Sequence, residues 1–257
     1  MIDIHCHILP GIDDGPDSED EAFALARAAV DAGTLAIVAT PHVSWDYPAN
    51  TAAVIADGVA RLTAALAREQ IPLQLFTGAE VAMTRATELS DEELGALRLG
   101  GPNGTHLLVE CPLSPTAAGF EAVLGNLRAR GNEVVLAHPE RCPAFQRDPA
   151  AYERLIAQGM LGQVTAGALV GRFGRTVQEF AEQLVRGGLA QNVASDAHSA
   201  ARRPPTIGPD LVTAGYGEQA VWLAHEVPHA ILTGSVVPPA PAMPPAPSRG
   251  LKRLFAR

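Results

Sequence analysis

The chain opens Met1-Ile2-Asp3-Ile4-His5-Cys6-His7-Ile8-Leu9-Pro10-Gly11-Ile12-Asp13-Asp14-Gly15, and the reading of this stretch decides the fold. A short apolar run carries two histidines one residue apart, and strand alternation turns His5 and His7 to the same side. Two imidazoles on one face supply half a metal site. The Pro-Gly and Asp-Gly pairs then force a turn, placing the Asp14 carboxylate in a loop that can fold back beside the histidines. An isolated H-x-H is a weak signal, because imidazole is also a common satisfied core or surface group.

Working outward, residues of ligand type recur where strands should stop. His42 follows Leu35-Ala36-Ile37-Val38-Ala39, Glu80 follows Leu73-Gln74-Leu75-Phe76, and Glu110 ends Leu107-Leu108-Val109. His138 ends Val134-Val135-Leu136-Ala137, and Asp196 and His198 close Asn192-Val193-Ala194-Ser195. In a parallel α/β barrel the strand C-termini converge on one face, so residues far apart in sequence meet there. Five histidines and four carboxylates suit divalent ions that accept nitrogen and oxygen, such as Mn²⁺, Fe²⁺ or Zn²⁺, better than an all-oxygen Ca²⁺ site. They are too many for one ion.

As a set, Asp3-Ile4-His5-Cys6-His7, Asp13-Asp14-Gly15-Pro16, Thr40-Pro41-His42, Gly78-Ala79-Glu80, Ala137-His138-Pro139-Glu140-Arg141 and Ser195-Asp196-Ala197-His198 resemble the PHP-fold metal-dependent phosphatases. The likeness is greatest to the bacterial CpsB type, tyrosine phosphatases associated with capsule and exopolysaccharide synthesis. The resemblance implies an α/β fold, a distorted PHP-type (β/α)7 barrel with a metal cluster at the C-terminal ends of its strands. By resemblance, His5, His7, Glu80 and Asp196 hold one ion; a bridging Glu80 with Glu110 and His138 holds a second; Asp14, His42 and His198 hold a third. Manganese is the expected metal, with iron or zinc as alternatives. Adjacent cations lower the pKa of a shared water, so the reaction implied is phosphomonoester hydrolysis by direct attack of water. The implied substrate is a phosphotyrosine protein, the tyrosine-rich tail of a bacterial tyrosine kinase.

Arg141 lies three residues past His138 and Arg203 five past His198, both in loops on the ligand face. A guanidinium fork matches two phosphate oxygens, and the family places phosphate-binding arginines in these loops. Arg202 is an adjacent rival for the second role.

Composition sets outer bounds. A chain of 257 residues with 47% hydrophobic residues can bury one sizeable core, which fits a single α/β barrel. A net charge of −9 argues against a broad phosphate-backbone-binding surface and hence against nucleic acid. Three cysteines, with no basic and apolar signal segment ahead of the first strand, lead to an expectation of cytoplasmic residence. No apolar run approaches the roughly 20 residues of a membrane span.

Taken in order, Ser18-Glu19-Asp20-Glu21 fits a capping box at the start of a helix over 18–32. A long helix follows His42 with Ile55, Val59, Leu62 and Leu66 on one stripe, and a short one is expected at Ser90–Leu94. Further helices carry Phe120, Val123, Leu124 and Leu127; then Tyr152, Leu155 and Ile156 after an Asp148-Pro149 start; then Val177, Phe180, Ala181, Leu184 and Val185. Six strands lead to ligands, those at 35–40 and 133–138 among them, and one near 161–166 does not, for a count of seven; Thr165 lines the site without being an obvious ligand. The barrel is expected to occupy residues 1–236. Residues 237–257 read as a proline-rich spacer and a short basic tail, Arg249, Lys252, Arg253 and Arg257 around Leu251, Leu254 and Phe255, expected first as a solvated disordered segment and second as a weak peripheral contact for an anionic membrane or acidic partner.

A cysteine-phosphatase loop needs an arginine six positions after its cysteine, but Ile12, Ala117 and Asp148 stand there after Cys6, Cys111 and Cys142. The thiols are therefore structural. His106, His225 and His229 fit no ligand position, and Asp13 and Glu140 read as carboxylates supporting the ligands beside them. Two other functions compete with the protein phosphatase: a PHP phosphatase for a small metabolite such as histidinol phosphate, and a non-catalytic or nucleic-acid-processing PHP module. The segment Ile8–Pro16 favours the protein phosphatase over the metabolite enzyme.

Overall fold

A computed structural model describes residues 1–244. The basic residues of the expected tail, and its two last prolines, lie outside the described residues. Nine strands run in parallel: β1 (Ile2–Cys6), β2 (Ala36–Ala39), β3 (His42–Val43), β4 (Gln74–Thr77), β5 (Glu80–Val81), β6 (His106–Glu110), β7 (Glu133–Ala137), β8 (Leu161–Thr165) and β9 (Asn192–Ala194). They form a sheet ordered β1-β2-β4 and a second ordered β3-β5-β6-β7-β8-β9. Most are buried on both faces, which is why they read as unbroken apolar runs instead of alternating ones.

The expected second and third strands are each split in two. Pro41 has no N–H to give the ladder between β2 and β3, so Thr40 N–H bonds to Cys6 O at 3.0 Å and Glu80 N–H to Pro41 O at 3.1 Å. In the matching break between β4 and β5, a Cβ on Gly78 would stand 2.6 Å from Val38 Cγ1, so only glycine fits. At the other side, β1 lies against the segment that follows β9. Asp196 N–H donates to His5 O at 2.8 Å and His7 N–H to Ala197 O at 2.9 Å.

Helices cover the sheets with the stripes that the spacing predicts. Glu19–Asp31 buries Ala22, Leu25, Ala26 and Ala29; Ala52–Arg68 buries Ile55, Val59, Leu62 and Leu66; Arg175–Arg186 buries Phe180, Ala181, Leu184 and Val185. The cap details differ from expectation. Ser18 accepts from Glu21 N–H, but the Glu21 carboxylate turns to Asp17 N–H, so that box is half made. The complete box is at Ser90 and Glu93, on the short helix Asp91–Ala96. Asp148 precedes the helix Pro149–Ala157 as expected, yet its side chain makes no capping bond.

Beyond β9, helices Ile207–Thr213 and Val227–Thr233 flank a π-helical turn, Trp222–Glu226. Trp222 Nε1 and Gln219 Nε2 donate to the carbonyls of Pro238 and Ala242, at 3.0 and 2.8 Å. The first residues of the expected spacer therefore run along the fold, with Val237 and Met243 against the core.

Candidate metal centre

Burial and backbone geometry first fix the two histidines of β1. His5 and His7 are fully buried, and their Nε2 atoms stand 3.3 Å apart. Each Nδ1 faces a carbonyl or carboxylate oxygen at 2.7 Å, Gln163 Oε1 for His5 and Asp13 Oδ2 for His7. These acceptors keep the proton on Nδ1 and leave the Nε2 lone pair turned to the other side. Glu80 Oε2 waits there, 3.2 Å from His5 Nε2 and 3.3 Å from His7 Nε2, with Asp196 Oδ1 at 3.4 and 3.6 Å. Lone pairs and carboxylate oxygens thus face one another.

Positive charge is what such a cluster needs, and the titration behaviour of its members says the same. Burial pushes the His7 imidazole down, but Asp13 and Glu80 outweigh it and raise its pKa to about 10, so a proton competes with a cation for the Nε2 lone pair. Burial pushes Glu80 up, yet His5 and His138 hold it well below the usual carboxylate range. Glu110 goes the other way, to about 7, through burial and the neighbouring Glu80 charge. His138 falls to about 4 through burial and the Arg141 guanidinium, which keeps its imidazole neutral and able to donate a lone pair. The donor set, imidazole nitrogens and carboxylates in close buried array, fits divalent cations.

All nine expected ligand residues come together. Four groups have ligand atoms within 4.8 Å of one another: His5, His7 and Asp196; His5, Glu80 and His138; His42, Glu80 and Glu110; and His7, Asp14, His42 and His198. The groups differ from the implied sets in several places: Glu80 is not with His5, His7 and Asp196, His138 groups with Glu80 and His5, Glu110 with Glu80 and His42, and His7 joins Asp14, His42 and His198. Glu80, His5, His7 and His42 each belong to two groups, so the four groups form one continuous cluster.

Local backbone explains how the loops reach the centre. A Cβ on Gly15 would collide with the His7 carbonyl, so glycine lets the Asp13-Asp14 turn close against β1. Asp13 there accepts from Gly15 and His42 N–H groups, both at 3.0 Å, besides holding His7. His138 and Asp196 sit in the left-handed region, at φ 36° and 50°. Such φ values in residues other than glycine store strain, and they mark the two strand ends that must turn sharply to present ligands.

The arginines approach from the Asp196 side. Arg141 Nη1 and Arg203 Nη2 both donate to Asp196 Oδ2, at 2.8 and 2.5 Å, and the Phe173 ring lies 5.2 and 6.0 Å from their guanidinium carbons. Their Nε atoms are buried and without a partner. Arg202 is exposed and lines the same cavity as Asp14, His198 and Arg203, while the ion pair to Asp196 is made by Arg203.

Several supporting residues escaped the sequence reading. Gln163 is a lone polar side chain mid-way along the buried β8, a signal that could have been used. Asp3 accepts from Ser195 Oγ at 2.5 Å and Ser195 N–H at 3.1 Å, which ties β1 to the Asp196 loop; burial raises its pKa to about 6. Phe173 and Tyr47 carry no signal in spacing. The cysteines are all buried and free, and burial raises the thiols of Cys6 and Cys111 well above their ordinary value, against a thiolate nucleophile.

A family profile described as capsular polysaccharide synthesis, CpsB/CapC, matches residues 1–232. The chain belongs to the CpsB/CapC family. Among curated members, the tyrosine-protein phosphatase YwqE of Bacillus subtilis is 35% identical over 204 residues, 79% of either chain. The tyrosine-protein phosphatase CpsB of Streptococcus pneumoniae is 26% identical over 247 residues, covering 92% of this chain and 100% of its own. A solved structure from the work on YwqE and CpsB, described as unique metal-dependent tyrosine phosphatases, superposes with a TM-score of 0.82 at 28% identity, over 96% of this chain and 100% of that one. Dihydropyrimidinase from Brevibacillus agri shares the fold at a TM-score of 0.56 and 15% identity. The CpsB/CapC fold here is α/β with parallel sheets, and no helix among the described residues is long and apolar enough to cross a membrane.

Proposed function

We propose that this CpsB/CapC protein is a metal-dependent protein-tyrosine phosphatase of a capsule or exopolysaccharide system, working in the cytoplasm on the phosphorylated tail of a tyrosine kinase. One observation carries the reading: imidazole lone pairs and carboxylate oxygens of nine residues face one another beside two guanidinium groups anchored on one carboxylate. We assign the nine to three divalent cations, manganese before iron or zinc. Bound there, the cations supply a water acidic enough to ionise near neutral pH and offset charge on a phosphoryl group.

The chain's own residues do the rest. Asp13 and Gln163 hold protons at Nδ1 of His7 and His5, which fixes both rings with Nε2 toward the centre. Arg141 and Arg203 keep spare N–H groups, Nε among them, for two phosphoryl oxygens once one Nη of each is committed to Asp196. Held so, the phosphorus accepts an in-line water oxygen while its bond to the phenol oxygen breaks. The leaving phenol, with a pKa of about 10, departs more readily than a serine alkoxide.

The fold proposed with this activity is one seven-stranded PHP-type barrel. Support comes from the continuity of β2 into β3 and β4 into β5, and from the bonds that join β1 to the Asp196 loop. Its catalytic unit is taken as residues 1–236, with 237–257 as an appended segment. The test is steady-state kinetics on the Mn²⁺-loaded protein with phosphotyrosine peptide, phosphoserine peptide and histidinol phosphate. Phosphotyrosine should give the highest kcat/KM. A higher value for histidinol phosphate would hand the site to metabolite chemistry, and no turnover of any would leave a binding module.

A further inference from the structure

We propose that Trp45 and Tyr47 form an aromatic wall that receives the phenol ring of phosphotyrosine beside the metal centre. The proposal rests on the phosphatase reading and names the residues that select the aromatic ester. Trp45 is 54% exposed, with much of a large apolar ring open to solvent. One face of its indole is covered by Arg85, whose guanidinium carbon stands 4.5 Å from the ring centroid, and Arg85 is itself paired with Glu88 at 3.1 Å. Tyr47 lies parallel to the candidate ligand His42, with ring centroids 5.7 Å apart and planes 4° from parallel.

The loop that carries both rings is tied to the site by its backbone. Asp46 N–H bonds to Ser44 Oγ at 3.2 Å and Tyr47 N–H to Ser44 O at 3.3 Å. Asn50 Nδ2 then reaches His42 O at 2.8 Å and Ile12 O at 3.0 Å, joining this loop to the one that bears Asp14. Trp45 and Tyr47 line the same cavity of about 360 Å³ as Asp14, His42 and Glu110. That space is within the usual range for a small-molecule pocket. The arginines engage the cluster at Asp196, whereas the rings flank it at His42, so a phosphoryl group held by the guanidiniums leaves its ester oxygen free to point toward the wall. A phenyl ring there finds flat π surface; the side chain of phosphoserine offers nothing to stack. Leaving-group chemistry favours the phenol only in turnover; a preference in binding has to come from the wall.

The experiment uses the full Mn²⁺-loaded chain and two non-hydrolysable probes, phenylphosphonate and methylphosphonate, with binding followed by calorimetry. The parent protein should bind the phenyl compound about 2- to 13-fold more tightly, the factor expected for one stacking contact. Trp45→Ala and Tyr47→Ala should each lose most of that ratio, and Trp45→Phe should keep it. In parallel, the phosphotyrosine-to-phosphoserine ratio of kcat/KM should fall by the same factor in the alanine variants. An unchanged ratio in both alanine variants, or a parent that shows no phenyl preference, overturns the wall. If the phenyl preference and its loss are seen but no ester is hydrolysed, the wall stands and the phosphatase reading falls; the converse result rejects the wall alone.

Discussion

Arg141 and Arg203 end on the same atom, Asp196 Oδ2, at 2.8 and 2.5 Å. The carboxylate's other oxygen, Oδ1, faces His5 and His7, so one side chain joins the guanidinium pair to the candidate metal cluster. Substitution of either arginine by alanine should lower kcat/KM by roughly 30- to 150-fold, the equivalent of a charge-assisted contact of about 2 to 3 kcal/mol. Metal content should be unchanged. Because the two share an anchor, the double variant should lose less than the product of the single losses. Steady-state kinetics with metal analysis on the three variants checks this; undiminished kcat/KM in both single variants would remove the arginines from phosphate binding.

Asp13 touches His7 but lies in none of the four candidate ligand groups. Asp13→Asn should therefore weaken metal binding by about 10- to 100-fold, as expected when the partner that orients a ligating imidazole is altered. Titration of the apo-protein with Mn²⁺ reads the effect directly. Affinity equal to that of the parent would mean that His7 needs no such orientation.

Stripping the cations should leave Asp14, Glu80, Glu110 and Asp196 crowded together with no cation between them. With metal at a hundredfold excess over its dissociation constant, linkage is worth about 2.7 kcal/mol, which for a chain of this size means a melting temperature roughly 5 to 10 °C higher than without it. Calorimetry before and after chelation, and again after Mn²⁺ is restored, should show a reversible drop together with reversible loss of turnover. Full activity after complete chelation would refute the metal-centre reading.

No thiol should be needed. Cys6, Cys111 and Cys142 are buried, and Cys6 Sγ donates to the carbonyl of Ala197 at 3.7 Å. A variant with all three replaced by alanine should keep most of its turnover once correctly folded. Mass spectrometry of enzyme quenched during turnover should find no phosphocysteine.

The sequence was most legible where physical chemistry leaves few choices. Strand ends carrying His42, Glu80, Glu110, His138, Asp196 and His198 could be placed because apolar runs stop abruptly at a polar residue, and helix stripes such as Leu25 with Ala29 followed the 3.6 period. The splits at Thr40-Pro41 and Gly78-Ala79 were less visible, since a proline or glycine beside a ligand motif does not by itself say whether the ladder resumes. Gln163 and Asp3 were passed over because each makes its contact across the fold, to His5 and Ser195, and such pairings leave no mark in local spacing. Phe173 and Trp45 are single aromatic residues in loops, where no periodicity reports on what a ring will touch.

The bonds from Asp196 to His5 and from Ser195 to Asp3 also set an order of events during synthesis. Five of the nine candidate ligands, His5, His7, Asp14, His42 and Glu80, are synthesised within the first third of translation, yet the strand that completes their neighbourhood is the last made among the described residues. Contacts of such long sequence separation form slowly. The nascent chain must therefore carry an incomplete acidic and histidine-rich cleft until residue 198 has emerged.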